Sequence, residues 1–335
     1  MTKFLSKISC MAVALAVLFI LAAVSPSIAQ QPNLVNPTAS SVKEQQLLQE
    51  LNRVEGRISI PDTKEGVLIQ PAGQSWRFFH EVVLRWIGAI ALIGMLALIA
   101  VFYLVRGTVK IVGGRSGRTL LRFDVLERIV HWMTAVSFII LALSGLNITF
   151  GKPLILPLVG PEAFTNLSIA FKYAHNYLSF PFTIGIVCII FMWAKDNIPD
   201  RIDVEWLKQG GGLIGHKLPP ARRFSAGQKG TFWIVVLGGA TMAISGYILM
   251  FPFYGTNIAG MQWAQIFHGV VAVLFVAAIF AHIYIGTLGM EGAFEAMGSG
   301  EVDVNWAKEH HKLWVEEEMG GKSTLTPKSR MTPAE

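Results

Sequence analysis

Long apolar stretches alternate with short polar stretches along most of the chain. Five of the apolar stretches are close to the roughly 20 residues that a helix needs to cross a bilayer. They run over residues 82–105, 130–150, 176–194, 231–251 and 266–289. One such stretch alone could be a buried core helix. Five in series, with loops of opposite charge character, predict an all-α protein that crosses the membrane several times.

Composition agrees with this prediction. Charged residues make up 15% of the 335 residues and hydrophobic ones 53%, whereas a soluble domain has about 25% charged residues. The net charge of +6 is concentrated in a few loops, so it indicates membrane orientation rather than nucleic-acid binding. The two cysteines, Cys10 and Cys188, both lie in apolar segments, which excludes a disulfide framework and a cysteine metal site.

Residues 1–29 have the pattern of a secretory signal peptide. Two lysines precede an apolar core, and the small residues Ser27 and Ala29 stand where a signal peptidase would cleave before Gln30. An uncleaved anchor helix is the alternative. Residues 30–75 are polar and rich in proline, and we expect a short helix over 41–53 in an otherwise weakly structured extracytoplasmic segment.

Basic residues in the loops predict the orientation. Arginine and lysine are concentrated in residues 106–129, in residues 195–230 and in the C-terminal tail. Loop 151–175 has only two lysines, and loop 252–265 has no basic residue. The positive-inside rule therefore places the three basic segments in the cytoplasm and the other two loops outside. The exported N-terminus leads to the same orientation.

Four histidines lie in or at the ends of the predicted spans, where a histidine is costly and usually functional. They are His131, His175, His268 and His282. His268 and His282 are 14 residues apart, so they lie within about 40° of one helix face and about 21 Å apart along the axis. By predicted depth, His175 matches His268 near the outer surface, and His131 matches His282 near the inner surface. Two matched pairs of neutral imidazoles suit two stacked six-coordinate haems that transfer electrons.

The alternative for a single intramembrane histidine is a hydrogen-bonded core residue or a proton relay. Four histidines at two matched depths favour haem. Small residues near them would let a flat macrocycle approach a helix, although small residues are also common in ordinary membrane helix packing. These residues are Gly145, Gly185, Gly246 and Gly269. The other histidines, His80, His216, His310 and His311, are interpreted as interfacial or solvated.

Several short motifs between about Phe123 and Trp314 carry a family resemblance. They are Arg128-Ile129-Val130-His131-Trp132, Leu143-Ser144-Gly145, Asp196-Asn197-Ile198-Pro199-Asp200, Ser225-Ala226-Gly227-Gln228-Lys229, the His268/His282 pair, and Trp306-Ala307-Lys308-Glu309-His310-His311. With these motifs, somewhat over half of the chain strongly resembles the gamma subunit, the membrane cytochrome b, of respiratory formate dehydrogenase. The histidine pair alone is shared with other di-haem cytochromes, including those of hydrogenases.

The resemblance implies a four-helix core with two b haems, held by His131, His175, His268 and His282. It also implies a quinone site near the cytoplasmic haem, at Ser225, Gly227 and Gln228. Well-known family members have asparagine where this chain has Ser225, and serine is in addition a good helix N-cap. The implied partners are an iron–sulfur beta subunit and a molybdenum or tungsten catalytic alpha subunit, and the implied substrate of this chain is membrane quinone.

The chain is thus expected to divide into a signal peptide (1–29), an extracytoplasmic segment (30–75), an extra transmembrane helix and linker (76–118), a di-haem four-helix core (119–290) and a cytoplasmic tail (291–335). The expected function is electron transfer from a partner dehydrogenase to quinone in a bacterial inner membrane. A hydrogenase cytochrome b subunit, a haem-free transporter with a histidine proton relay and a purely structural anchor are the alternatives. The resemblance gives no role for residues 30–118.

Overall fold

The computed structural model describes residues 54–57, 67–70, 72–212 and 219–320. The predicted signal peptide, the short helix expected over 41–53 and His216 lie outside these residues. By its internal contacts the chain divides into a unit of residues up to Ser75 together with Ile140–Leu178, and a unit of Trp76–Ile139 together with Ser179–Glu335. Below they are called the first unit and the second unit.

Five helices are long and apolar enough to cross a membrane, as the sequence predicts. They cover Gly73–Arg106, Val125–Leu154, Pro161–Trp193, Ala226–Met250 and Ile258–Gly289. The first consists of α1 (Gly73–Phe78), a π-helical turn and α2 (Leu84–Arg106). The second is α3 (Val125–Leu154), and after the short α4 (Leu156–Val159) the third is α5 (Pro161–Trp193). Helices α3 and α5 each contribute residues to both units.

The segment 151–175, predicted as a loop, is largely helical. Helix α5 begins at Pro161, a residue whose fixed φ suits the first helical position. Apolar stretches reveal the part of a helix that lies in lipid, but not its polar extension, and this is why the prediction was wrong. One consequence is that His175 lies well inside α5 rather than at its start.

The second unit continues with α6 (Arg201–Lys208), α7 (Ala226–Met250) and α8 (Ile258–Tyr284), which a π-helical turn extends to Gly289. Side-chain oxygens cap all three helices at their first residues: Asp200 caps α6, Ser225 caps α7 and Asn257 caps α8. Such caps satisfy backbone N–H groups that have no partner within the helix.

The extra helix α2 packs along α8. A Cβ built on Gly269 would lie only 2.6 Å from a methyl carbon of Leu84, so the absence of a side chain there lets the two helices approach closely. Nearer the end of α2, Phe102 and Tyr103 both make edge contacts with the ring of Tyr284. The chain that follows α2 also contacts the end of the α8 segment. The N–H of Val109 donates to the carbonyl of Gly289, and the N–H of Glu291 donates to the carbonyl of Val109.

Residues 291–320, expected to form a simple tail, are folded. They form α9 (Glu295–Gly298), β4 (Glu301–Asp303), α10 (Val304–His310) and α11 (Lys312–Gly320). Strand β4 pairs antiparallel with β3 (Thr119–Leu121). Val302, Trp306 and Ala307 are almost completely buried. They share a core with Phe123, Trp193 and Phe224.

Two short strands are described within residues 30–75, where the sequence led us to expect weak structure outside 41–53. In the first unit, β1 (Val54–Arg57) pairs antiparallel with β2 (Val67–Gln70), with Val54 opposite Gln70 and Arg57 opposite Val67. Val54, Val67 and Ile69 are β-branched, which favours strands.

Candidate functional site

His131 on α3 faces His282 on α8 within the second unit. Their ring centres are 6.3 Å apart, and the ring planes make an angle of 59°. An imidazole nitrogen binds a metal at about 2 Å, and the ring centre lies about 1 Å behind that nitrogen, so two imidazoles on opposite sides of one metal have centres about 6 Å apart. The observed separation therefore fits a metal held between the two rings.

The surroundings of these rings support the same conclusion. Nδ1 of His131 is buried and has no hydrogen-bond partner in the described part of the chain, and a buried polar atom without a partner needs an explanation. The His282 side chain is exposed, although it belongs to a membrane-spanning helix, where a bare imidazole is costly. Ligation of a metal through Nε2 of each ring would account for two imidazoles inside membrane-spanning helices, and it would leave Nδ1 of His131 as the nitrogen without a partner among the described residues. The donor set therefore fits the haem that the sequence predicts.

His175 on α5 is held by its neighbours within the first unit. Its Nδ1 lies 2.8 Å from the hydroxyl of Ser144 on α3, and Ser144 is completely buried. Next to Ser144 is Gly145, where an added Cβ would lie 3.6 Å from Cε1 of the ring. The helix backbone of α3 therefore comes close to the imidazole ring.

His268 on α8 is held in the same way within the second unit. Its Nδ1 lies 2.9 Å from the hydroxyl of Ser245 on α7. The next residue, Gly246, would place a Cβ 3.3 Å from Cε1 of the ring. A serine followed by glycine thus contacts a histidine of the next long helix in both units.

The four predicted ligands are therefore placed as follows. The structure brings His131 and His282 together, while His175 and His268 belong to different units and each is described with its own serine. Of the four glycines singled out in the sequence, Gly145 and Gly246 lie against histidine rings. Gly185 packs against Thr134, where a Cβ would collide with the hydroxyl, and Gly269 packs against Leu84.

The residues implied as a quinone site form the start of α7. The Ser225 hydroxyl accepts from the N–H of Gln228 at 3.4 Å, and Oε1 of Gln228 accepts from the N–H of Ser225 at 3.1 Å. This is a capping box. Gly227 is exposed and packs under Trp206, whose ring would lie 3.1 Å from a Cβ at that position.

Lys229 joins two of the sequence motifs. It is 4% exposed, and its Nζ donates to the carbonyl of Ile198 at 3.0 Å and to the carboxylate of Asp203 at 2.8 Å. The carboxylate of Asp200 lies 3.6 Å away. The start of α7 is therefore fixed to the segment that follows α5 and to the start of α6, so the motif at 225–229 contacts the motif at 196–200.

A buried carboxylate lies one helical turn before His131. Oε1 of Glu127 accepts from the Trp193 indole N–H and from the Arg223 guanidinium, both at 2.6 Å. Arg223 also donates to Asp196 at 2.8 Å. Although burial lowers the pKa of Arg223, its hydrogen bonds with Asp196 and Glu127 raise it above the ordinary value overall. This network connects α3, α5 and the segment before α7 at the end that carries His131.

The interpretation as interfacial or solvated is wrong for His311, whereas His310 is half-buried. His311 is 1% exposed; its Nδ1 lies 2.8 Å from the Arg222 carbonyl and its Nε2 lies 3.0 Å from the guanidinium of Arg122. Burial, reinforced by the charge of Arg122, lowers the pKa of His310 to about 4 and that of His311 well below its usual value. The sequence could not show this, because the folded C-terminal segment has no long apolar pattern.

His80 is half-buried and stacks on Trp76.

Sequence reasoning also missed Ser144 and Ser245 as hydrogen-bond partners of the candidate ligands. Both were visible in the sequence, Ser144 within a quoted motif, but neither was given a role. The available signal was the repetition of Ser-Gly, at 144–145 and at 245–246, each in a span that precedes a histidine-bearing helix.

Comparison with known proteins adds independent information. The family described as "Prokaryotic cytochrome b561" matches residues 122–300. The cytochrome b556(fdo) subunit of formate dehydrogenase from Escherichia coli (strain K12) is 29% identical over 203 residues, which cover 59% of this chain and 93% of that protein. The cytochrome b556(Fdn) subunit of the nitrate-inducible formate dehydrogenase of the same strain is 23% identical over 207 residues, 60% of this chain and 93% of that protein. A formate dehydrogenase cytochrome b556 subunit from Haemophilus influenzae is 25% identical over 221 residues, 61% of this chain and 85% of that protein.

Proposed function

Since the chain belongs to the prokaryotic cytochrome b561 family, we propose that it is the cytochrome b subunit of a formate dehydrogenase and delivers electrons from an iron–sulfur partner to membrane quinone. The observation that carries the proposal is the His131–His282 pair, with ring centres 6.3 Å apart. The relatives that match most of their own length to this chain are formate dehydrogenase cytochrome subunits, and this supports formate as the electron source.

We assign two b haems to four histidines. His131 and His282 would hold one haem, and His175 and His268 the other, a pairing that rests on their predicted depths. Bound haem supplies reversible one-electron transfer, and two imidazoles leave no open coordination position for oxygen. The protein contributes the fixed ring positions: Ser144 orients His175, Ser245 orients His268, and the Glu127 network anchors the start of α3 before His131.

The proposed partners rest on the family resemblance and on the small number of cysteines in this chain. Iron–sulfur clusters are held by sets of cysteines, and the whole sequence has two. The clusters, and the molybdenum or tungsten site that oxidises formate, are therefore assigned to beta and alpha subunits. By the positive-inside rule we assign the basic residues 106–129 and 195–230 to the cytoplasm, so quinone reduction at that side would take up cytoplasmic protons.

The quinone site is proposed at Ser225, Gly227 and Gln228. Gln228 is exposed, and its amide offers both an acceptor and two donors, as a quinone carbonyl and its reduced hydroxyl require. The capping box uses the carbonyl oxygen of Gln228. The amide NH₂ is therefore the group assigned to the quinone carbonyl.

Two substitutions separate quinone binding from helix capping. Glutamate at the third helical position completes a capping box as glutamine does, so Gln228→Glu keeps the cap and loses the amide donor. Gln228→Leu loses both. We expect both variants to slow quinone reduction while formate still reduces the haems. Normal quinone turnover in Gln228→Glu, with a loss of stability in Gln228→Leu, would limit this residue to capping.

The formate assignment is tested on membranes that contain the whole complex. Haem spectra are recorded after addition of formate or of hydrogen, followed by a quinone analogue. Haem reduction by formate, and reoxidation by quinone, is the expected result. Reduction by hydrogen alone would instead favour the hydrogenase cytochrome b function.

A further inference from the structure

Ser144 and Ser245 share a hydrogen-bond pattern that limits the chemistry of the histidines beside them. The Ser144 hydroxyl donates to the carbonyl of Ile140 at 2.8 Å, with Leu141 O at 3.0 Å. The Ser245 hydroxyl donates to the carbonyl of Thr241 at 2.6 Å. A hydroxyl has a single hydrogen, and in each serine the preceding turn of its own helix takes it.

With its hydrogen in that bond, each serine oxygen is left to accept a hydrogen bond from the histidine. Nδ1 of His175 and Nδ1 of His268 lie 2.8 and 2.9 Å from these oxygens. A neutral imidazole has one N–H and one lone pair. With the hydrogen on Nδ1, the lone pair of each ring is on Nε2, the nitrogen on the other side of the ring.

We propose that Ser144 and Ser245 are positioning residues that fix the Nδ1–H tautomer of His175 and His268, so that Nε2 of each ring is the iron ligand. This inference rests on the proposed function, in which these two histidines hold a haem. The glycines that follow the serines lie beside the rings: a Cβ at Gly246 would lie 3.3 Å from Cε1 of His268, closer than an ordinary contact, whereas a Cβ at Gly145 would lie 3.6 Å from Cε1 of His175, in ordinary contact.

The arrangement has an electronic consequence. An Nδ1–H that donates a hydrogen bond makes the imidazole a more basic ligand, and a more basic ligand stabilises the oxidised iron relative to the reduced iron. The two serines should therefore lower the reduction potential of the haem that His175 and His268 bind. The other site differs, since Nδ1 of His131 has no partner among the described residues.

The test uses the full complex, with Ser144→Ala, Ser245→Ala and the double variant. Two control variants each remove a hydrogen bond that does not involve a histidine. One bond joins α3 and α5, as the Ser144–His175 contact does, and the other starts from α7, the helix that carries Ser245. Ser168→Ala removes the 3.1 Å bond from Asn147 on α3 to Ser168 on α5. Tyr247→Phe removes the 3.0 Å bond from Tyr247 on α7 to Thr183 on α5.

Reduction potentials are measured by redox titration of the visible haem bands, and ligand orientation by low-temperature EPR of the oxidised haems. We expect each serine variant to raise the potential of the same haem, with altered g-values, or to lose that haem while the other is retained. The double variant should raise the potential of that haem further, and both control variants should have the potentials and g-values of the wild type. Unchanged potentials and g-values in both serine variants would overturn the proposal. Shifts of two different haems would overturn the pairing of His175 with His268, and absence of haem from the wild type would overturn the proposed function instead.

Discussion

Replacing Glu127 by glutamine tests whether a buried carboxylate holds the end of the helix bundle that carries His131. Glu127 is 9% exposed. It accepts from Trp193 and Arg223 through Oε1, and from the N–H of Asp124 through Oε2 at 2.9 Å. A glutamine keeps the shape but has only one acceptor oxygen, so in either orientation its NH₂ faces a donor.

The expected cost follows from these contacts. A buried donor left without an acceptor costs about 1–3 kcal/mol. Breaking a fully buried ion pair costs about 3–5 kcal/mol, but Arg223 is 28% exposed and keeps Asp196 at 2.8 Å. We therefore expect Glu127→Gln to lower the free energy of unfolding by about 2 kcal/mol, a decrease in Tm of about 4 °C.

Asp196→Asn is the matched control, because it removes the other carboxylate of the same guanidinium. Asp196 is 35% exposed, and an ion pair at that exposure is worth about 1 kcal/mol or less. Thermal unfolding in detergent, followed by tryptophan fluorescence, compares the two variants. Equal decreases in Tm, or a larger one for Asp196→Asn, would refute the argument that the buried contacts of Glu127 dominate.

Three further predictions concern the haem ligands, the C-terminal fold and the cap of α7. His131→Ala should remove one haem and block electron exit to quinone, whereas His175→Ala should remove the other and block electron entry; spectra after formate addition would show the reverse assignment if the topology were inverted. The pKa of a histidine is near 6.5 in the unfolded chain, but it is about 4 for folded His310, and the pKa of His311 is lowered in the same direction. Between these pH values the unfolded state binds more protons than the folded state. The C-terminal fold should therefore lose stability as pH falls from 6.5 towards 4. Limited proteolysis across that pH range measures this, and uniform resistance would contradict it. Ser225→Ala should cost about 1 kcal/mol through loss of the helix cap, measured as a change in Tm, and an unchanged Tm would show that the cap adds nothing to stability.

The membrane helices could be predicted from the sequence because their signal is local. A run of apolar residues that spans a bilayer has few other interpretations, and all five predicted stretches fall within or overlap the helices observed. The helix ends could not be predicted in the same way. The first part of α5 is too polar for a hydropathy pattern, so the loop expected over 151–175 is a helix.

The histidines were predictable for a related reason. A membrane span contains so few polar residues that each one stands out, and the spacing of His268 and His282 is visible directly. The partners of these residues are not visible, because a contact such as Ser144 with His175 joins positions 31 residues apart. Likewise, nothing in the sequence around His311 indicates that Arg122, 189 positions earlier, bonds to it.

The central claim is that this chain holds two b haems between four histidines, and a haem count tests it most directly. Pyridine haemochrome analysis of the purified protein, with the protein concentration from amino-acid analysis, gives the number of haems per chain. The account predicts two haems of the b type in the wild type and one in either His131→Ala or His175→Ala. A wild-type protein with one haem or none would contradict it.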